Sequence, residues 1–558
     1  MKSTGTFASR LYRGRFLLSV VLALVALVAF ACSSDGGPDQ QLRIRLAGDP
    51  STLDPQLASV SEEISVVKQL FRGLFTYDED LTVVPAVALE VPTQENGGIS
   101  EDALTYTIKL RDDATWSDGA PVTANNFVYT FQRLFDPEGG AQGYYFGFYA
   151  AIVGAGEFAG GEGSADGVGV TAVDDHTLQI KLVQPQPTLP VLLALWPAAP
   201  LRQDVIEQFG ADWTDADNII GNGPFVLADY SIGDSITLEA NAGYWGDDQP
   251  TLERVVYKII PDDSAALLAY QNDEIDMTSI PPPDASDYEG DAEQVRYAQL
   301  ETFALQYNTR AAPLDDPLVR QAISRAIDRD AYVATVLSGV GKPALGWLPP
   351  GMPGYDPSIG EDLSFDEAAA GELLAAAGYA DGEGFPSITL TIADAPPTRL
   401  TAEFVQEQLK QHLGIDLKIE GLEEGAYNAR LGAGEFQIIW QSWFADYADP
   451  ENWLPQQFAT DGAFNMYGYS NAEVDGLLED AAVELDQTKR LALYDEAHRQ
   501  IIDDQVVTPI FHPERNYLVK ANVDGLVFTG LDAEPGDWFE SNVRILATDG
   551  APPASDPE

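Results

Sequence analysis

The stretch Trp116-Ser-Asp-Gly-Ala-Pro-Val-Thr-Ala-Asn-Asn-Phe-Val-Tyr-Thr-Phe131 holds the switch on which the fold turns. Thr123 is suited to cap a helix, because its hydroxyl can accept from an amide that the first turn leaves without a partner. Beyond it Phe127, Phe131 and Leu134 recur at three- and four-residue spacing, so their side chains share one face. Upstream, Thr105-Tyr-Thr-Ile-Lys-Leu110 reads as a strand, and Asp112-Asp113 follow as a turn. Strand, turn and amphipathic helix in that order make a β-α unit.

The same grammar extends in both directions. Leu42-Arg-Ile-Arg-Leu46 alternates as a strand and stops at Gly48-Asp49-Pro50. From Pro317 to Leu337 the spacing predicts a helix with Val319, Ala322, Ile323, Ala326 and Ile327 inside and Arg320, Arg325 and Arg329 opposite. A helix over Ala402 to Leu413 should end at Gly414 and feed a strand over Ile415 to Ile419. Helices near Val474 to Leu485 and Leu491 to Ile502 precede a buried strand over Val506 to Phe511. The class is therefore α/β. No repeat of fixed period appears, which argues against a solenoid or propeller. Gly-rich stretches at 154–169, 339–357 and 381–386 read as loops, and none is a long flexible linker. Lobes joined by strands across a hinge, closing as rigid bodies, are expected.

Composition removes several function classes. A chain of 558 residues with 45% hydrophobic content can bury two to four cores. Its 88 acids against 31 Lys and Arg, a formal charge of -57, oppose nucleic acid as a partner, since phosphate backbones are bound by clustered cations. Such acidity fits a saline habitat or a generally acidic proteome equally. One cysteine allows no intrachain disulfide and no repeated Cys metal ligands. His176, His412, His498 and His512 lack HExxH spacing, so a zinc hydrolase is disfavoured and no metal or cofactor is expected. Asp215-Ala-Asp217-Asn218 lacks the Gly and distal Glu of a calcium loop and reads as a turn. GxSxG, Walker A and helix-opening GxGxxG motifs are absent.

Residues 1–31 read as a secretory signal: Lys2, Arg10, Arg13 and Arg15 without an acid, then the apolar run Phe16 to Ala31, too short for a comfortable membrane span. Leu27-Val-Ala-Phe-Ala-Cys32 resembles the lipobox of bacterial lipoproteins, with residues 32–41 as a tether and Cys32 as the lipidated residue. Phe30 departs from the usual small residue there, and Ala29-Phe30-Ala31 also suits plain secretion. Two or more acyl chains would give stable anchoring.

Longer strings carry a family resemblance. Leu53-Asp-Pro55, Leu70-Phe-Arg-Gly-Leu-Phe75, the Trp116 to Phe131 string, Gly221-Asn-Gly-Pro-Phe225, Gly243-Tyr-Trp245, Tyr307-Asn-Thr309 and Asp316-Pro-Leu-Val-Arg-Gln-Ala-Ile-Ser-Arg-Ala-Ile-Asp-Arg329 resemble, in order, the family 5 extracellular solute-binding proteins of ABC importers. The resemblance implies a two-lobed, type II periplasmic-binding-protein-like fold with an additional subdomain. Lobe I would comprise 42–77, 199–302 and 515–546, its added subdomain 81–197, and lobe II 303–514, with a disordered tail over 547–558. The hinge would lie near Phe303 to Asn308 and Pro513 to Tyr517.

Within lobe II, Ile438-Ile-Trp-Gln-Ser-Trp-Phe-Ala-Asp446-Tyr-Ala-Asp449-Pro450 resembles the segment with which peptide-binding members hold their ligand. The resemblance implies that Asp446 pairs with a peptide α-ammonium while Gln441, Ser442, Trp443 and Phe444 run beside its backbone. Strand-addition hydrogen bonds recognise any peptide, and a carboxylate fixes the amino end. Taken by itself Asp446 reads as a solvated loop acid. Asp449, before a proline, is the weaker candidate. Alternation separates Trp440 from Trp443, and Trp443 is the one expected at the cleft. Some relatives carry a basic residue at the position of Trp440 that meets the ligand's carboxylate end, so that anchor is left unassigned here. Asp49 matches a region lining the cleft from lobe I, or simply forms the turn before Pro50. The implied protein is a non-catalytic, lipid-anchored monomer that presents peptide to permease transmembrane subunits served by a separate ATPase. A receptor for an oligosaccharide or metal chelate, or a secreted acidic hydrolase, stays open at this stage.

Overall fold

A computed structural model describes residues 39–538 and 540–547, so the signal segment, Cys32 and the tail beyond 547 lie outside the described residues. The first strand, Gln41–Leu46, buries Leu42, Ile44 and Leu46 and leaves the residues between half-buried. It pairs in parallel with Arg254–Ile259, Gln41 opposite Arg254 through Leu46 opposite Ile259, and on its other side with Met277–Ser279. These three sit inside a seven-stranded sheet ordered Gln294–Ala298, Glu514–Val519, Met277–Ser279, Gln41–Leu46, Arg254–Ile259, Ser235–Ala240, Phe225–Ser231.

A six-stranded sheet runs Lys342–Pro343, Val507–His512, Glu301–Tyr307, Ile438–Phe444, Ile388–Ala393, Leu417–Leu422. The chain leaves the first sheet for the second between Ala298 and Glu301 and returns at Pro513. The first crossing thus precedes the expected Phe303 to Asn308. Those residues are already strand, with Thr302, Ala304, Leu305, Gln306 and Tyr307 fully buried between two antiparallel neighbours.

A third sheet of Thr105–Lys109, Thr177–Lys181 and Val170–Asp174 carries the helix Ala124–Phe135. Phe127, Phe131 and Leu134 are its buried face, and Asn126 Oδ1 accepts from the Thr123 amide at 2.8 Å where the helix begins. Thr130 Oγ1 donates to Ala199 O at 2.9 Å, which ties this unit to the chain returning to the first sheet.

The expected helix over Pro317 to Leu337 is two helices, Pro317–Arg325 and Arg329–Thr335. Asp328 starts the second by accepting from the Ala331 amide at 2.9 Å, and such a cap requires non-helical backbone at its own position. Arg320 and Arg329 are not on a solvated face. Both are buried; Arg320 Nε donates to Gln505 O and Arg329 Nε to Pro509 O, each at 2.8 Å, satisfying carbonyls around the buried strand Val507–His512.

Two glycines of Gly221-Asn-Gly-Pro-Phe225 set the position of the helix Ser61–Leu70. A Cβ on Gly221 would lie 2.1 Å from Leu70 O, and one on Gly223 2.4 Å from Gln69 O. Asn222 between them accepts from Arg72 N and donates to Arg72 O, both at 2.9 Å. The helix end is thereby clamped, and its first turn reaches the space between the two large sheets. Among the described residues no helix is long and apolar enough to cross a membrane.

Candidate functional site

The strand Ile438–Phe444 pairs along its whole length with Glu301–Tyr307, from Phe444 opposite Glu301 to Ile438 opposite Tyr307. On its other side only Ile438 and Ile439 find ladder partners, Leu390 and Thr391. The carbonyl of Trp440 accepts from the Tyr427 hydroxyl at 2.6 Å, and from Gln441 to Phe444 one edge is without a strand partner among the described strands. Backbone groups alternate in direction along a strand, so such an edge presents N–H and C=O groups to whatever lies beside it.

What lies beside it is a cavity of about 750 Å³. Gln441 through Asp446 border it from the six-stranded sheet, and Ser59 to Glu62, Arg515, Glu534 and Trp538 border it from the other lobe. Tyr144 and Tyr145, from the unit built on the three-stranded sheet, close a third side. All six consecutive residues 441–446 touch the cavity because the edge of the strand, rather than a face, lines it.

Alternation nonetheless separates the two tryptophans. Trp440 lies in the core, stacked on Phe303 at 5.7 Å and Phe511 at 6.3 Å. Trp443 borders the cavity, packs edge-on to Phe464 at 5.0 Å and donates its Nε1 hydrogen to Asn452 O at 3.0 Å. Val60, Tyr144 and Phe444 are 50%, 53% and 38% exposed, an apolar rim drawn from three parts of the chain and open to ligand side chains.

Asp446 stands at the end of the free edge. Its amide donates to Asn452 Oδ1 and its Oδ2 accepts from Asn452 Nδ2, both at 2.9 Å, so one asparagine fixes backbone and carboxylate together. The Tyr145 hydroxyl is a further hydrogen-bond partner. Burial pushes the Asp446 carboxyl up to about 6, with the Asn452 and Tyr145 hydrogen bonds opposing the rise. No Lys, Arg or His lies within 4.0 Å of it among the described residues. The site is a partly desolvated carboxylate, oriented by neutral donors, without a counter-charge.

The other sequence candidates have different positions. Asp449 is buried in a two-pronged ion pair with Arg490, at 2.7 and 2.5 Å, and its Oδ1 also accepts from the Glu451 amide. It shapes the turn that carries Asp446. Asp49 does not border the cavity. Its Oδ1 accepts from Gly233 N at 2.8 Å, which fastens the end of the first strand to the hairpin of Phe225–Ser231 and Ser235–Ala240, the turn-forming role open to an Asp before Pro50. Cys32 lies outside the described residues. Among the described residues no cluster of three His, Cys, Asp or Glu could hold a metal ion. His498 is packed in the interior with Nε2 accepting from Trp347 N at 2.8 Å, and burial pushes its imidazole down to about 3.

Tyr144, Tyr145, Arg515 and Glu534 were not foreseen. The two tyrosines stand beside Gly139, Gly140 and Gly143, and paired aromatics in a Gly-rich loop were the available signal. Arg515 and Glu534 belong to the cleft only because the chain returns to the first sheet, which no local pattern announces.

The sequence model of the bacterial extracellular solute-binding proteins, family 5, middle part, matches residues 82–465. The chain belongs to this family. Family 5 proteins are solute-binding receptors, not enzymes. The periplasmic murein peptide-binding protein MppA of Escherichia coli K12 is 32% identical over 495 residues, 87% of this chain and 90% of its own. The oligopeptide-binding protein OppA of Bacillus subtilis 168 is 30% identical over 542 residues, 92% and 97% respectively. Among solved structures, the murein tripeptide-binding protein MppA in its unliganded open form superposes with a TM-score of 0.79 at 31% identity, covering 92% of this chain and 98% of that one. The two-lobed α/β architecture with its intervening cleft is thus shared with this solved relative.

Proposed function

We propose that this family 5 protein is the extracytoplasmic peptide receptor of an ABC importer. One observation carries the reading: the edge of residues 441–444 has no strand partner and ends at the uncompensated carboxylate of Asp446, inside a cavity of about 750 Å³. An extended peptide laid along that edge completes the ladder with its backbone and places its α-ammonium on Asp446. Its side chains reach the rim of Val60, Tyr144 and Phe444, where contacts are apolar and unselective. The volume lies within the usual range for sites that enclose a small ligand. Relatives whose names record murein peptides and oligopeptides as ligands support the same class.

In the finer reading Cys32 carries the lipid that holds a monomeric receptor at the membrane, and the loaded protein hands its peptide to permease subunits driven by a separate ATPase. Residues 301–512 close on the remainder about the crossings at 299–300 and 513. Peptides with free and with acetylated amino ends, titrated into protein starting at Ser33 while tryptophan emission is followed, test the capture. Saturable binding that acetylation weakens at least tenfold supports it. Equal affinity for both sets removes Asp446 from the ammonium role, and no binding by ligand-free protein overturns the peptide assignment.

A further inference from the structure

One charged group of the cleft has no part in holding an amino end. Arg515 is the single cation among the residues that border the cavity, whose acids are Glu62, Asp446 and Glu534. It lies two residues past the crossing at Pro513, in the strand Glu514–Val519, and its side chain reaches back beside the other crossing. There the amide oxygen of Gln299 accepts from Nε at 2.8 Å and from Nη2 at 3.0 Å. Nη2 also points at the carbonyls of Asp532, at 3.3 Å, and Ala533, at 3.1 Å. Nη1 makes only a long contact of 3.4 Å with the Tyr517 hydroxyl.

All these acceptors are neutral, and no carboxylate comes within 4.0 Å of Arg515 among the described residues. A guanidinium offers five N–H donors in a rigid fork matched to a carboxylate. Here the Nε and Nη2 side of the fork is held and Nη1 keeps a hydrogen to spare. Burying a cation without a counter-charge is costly unless its function is to receive one. Glu534 and Glu301, the acids whose fields reach Arg515, are weak counter-charges. Burial pushes the Glu534 carboxyl up to about 7, with Arg515 opposing and Asp537 and Glu62 adding to the rise, and burial likewise raises that of Glu301, with the Ser442 hydrogen bond and Arg515 opposing. Trp440, stacked in the core, offers no cation from the opposite sheet.

The cavity therefore has an unmatched anion, Asp446, on one sheet and an unmatched cation, Arg515, on the other. We propose that Arg515 is the carboxylate anchor of this receptor: a peptide whose ammonium meets Asp446 sets a carboxylate, terminal or on a side chain, against Nη1 of Arg515. The inference rests on the peptide reading above and narrows it to ligands that carry both charges. It also ties occupancy to the hinge, because the anchoring side chain bridges the two places where the chain changes sheet.

The test compares wild type, Arg515→Gln and Arg515→Lys with matched peptides that all keep a free amino end: a free acid, its C-terminal amide, and a version with an internal Glu replaced by Gln. In wild type, neutralising one of the two carboxylates weakens binding ten- to a hundredfold, and whichever change does so identifies the source. Arg515→Gln binds acid and neutral forms equally, at the wild-type affinity for the neutral form, while Arg515→Lys keeps part of the preference. A purely structural Arg515 would instead lower all affinities together. Wild type without discrimination, or Arg515→Gln that keeps the preference, overturns the anchor and leaves peptide capture standing. Should Arg515→Gln not fold, wild type and Arg515→Lys decide alone: a wild type that does not discriminate, or a Lys variant that keeps the wild-type preference in full, overturns the anchor. Failure of every peptide to bind overturns both.

Discussion

Replacing Asp446 with Asn should do two opposite things. The asparagine can still accept from Asn452 Nδ2 and keeps the backbone bond to Asn452 Oδ1, so the turn survives and only the charge is lost. A charge-assisted hydrogen bond to an ammonium is worth about 1.5–3 kcal/mol, so affinity for free-amino peptides should fall about ten- to a hundredfold. The ligand-free protein should become more stable. Asp446 titrates near 6 in the fold against 3.8 ordinarily, so the fold holds its proton between those values while the unfolded chain has lost it. That contribution is fully present below the lower value and is lost as pH rises through about 6. At pH 7 the ionised carboxylate therefore costs up to about 3 kcal/mol, which the Asn variant does not bear. Binding has the mirror dependence, because the ammonium selects the ionised form. Wild-type affinity should be greatest near pH 7, about twofold weaker at pH 6 and about tenfold weaker at pH 5, because the peptide amine, at about 7.7–8.0, stays largely protonated up to pH 7. Thermal melts and tryptophan titrations of both proteins from pH 5 to 7.5 read all of this. An Asn variant that binds within twofold of wild type at pH 7.5, or that keeps the loss at pH 5, refutes the reasoning.

Asp449→Asn breaks a buried ion pair and leaves Arg490 uncompensated, so it should cost about 3–5 kcal/mol in denaturant unfolding while the folded fraction binds peptide within twofold of wild type. Trp440→Ala should likewise cost about 3–5 kcal/mol of stability and leave affinity nearly unchanged. Trp443→Phe, which loses the bond to Asn452 O, should instead lower the emission response to peptide, with Trp196 and Trp538 at the same cavity keeping the rest, and weaken binding by about 0.5–1.5 kcal/mol, as calorimetry would measure. Gly223→Ala forces a methyl to 2.4 Å from Gln69 O and should lower the melting temperature by several degrees, because backbone must move to admit it.

Much of the fold was legible because periodicity reports burial. Leu42, Ile44 and Leu46 alternate and are buried; Phe127, Phe131 and Leu134 recur at helical spacing and are buried. The helix Pro396–Leu413 does end at Gly414, whose φ of 65° is left-handed, although it begins six residues ahead of the expected Ala402 because the prolines at its start are compatible with a first turn. Arg320 and Arg329 show where the rule stops. Period places them off the apolar face, but each Nε donates to a main-chain carbonyl 185 or 180 residues away, and a carbonyl leaves no trace in side-chain pattern.

The cleft was legible to the same extent. Gln441 to Asp446 form one contiguous string and could be read together, down to the separation of Trp440 from Trp443. Tyr145, Arg515 and Glu534 come from distant segments and acquire their roles by meeting. Asp49 shows the converse: its residue type fitted both a ligand and a turn, and its neighbour Pro50 was the better guide to the hydrogen bond with Gly233.

The central claim is that a peptide completes the unpaired edge of residues 441–444. Amide hydrogen exchange across Ile438 to Tyr447, with and without saturating peptide, tests it most directly. The account predicts slowed exchange at those amides of 441–444 that do not already donate to the strand Glu301–Tyr307, while 438 and 439 are protected in the free protein by their ladder partners, Ala445 by Leu300 O and Asp446 by Asn452 Oδ1. Peptide that binds tightly and leaves the amides of 441–444 exchanging at their ligand-free rates would contradict it.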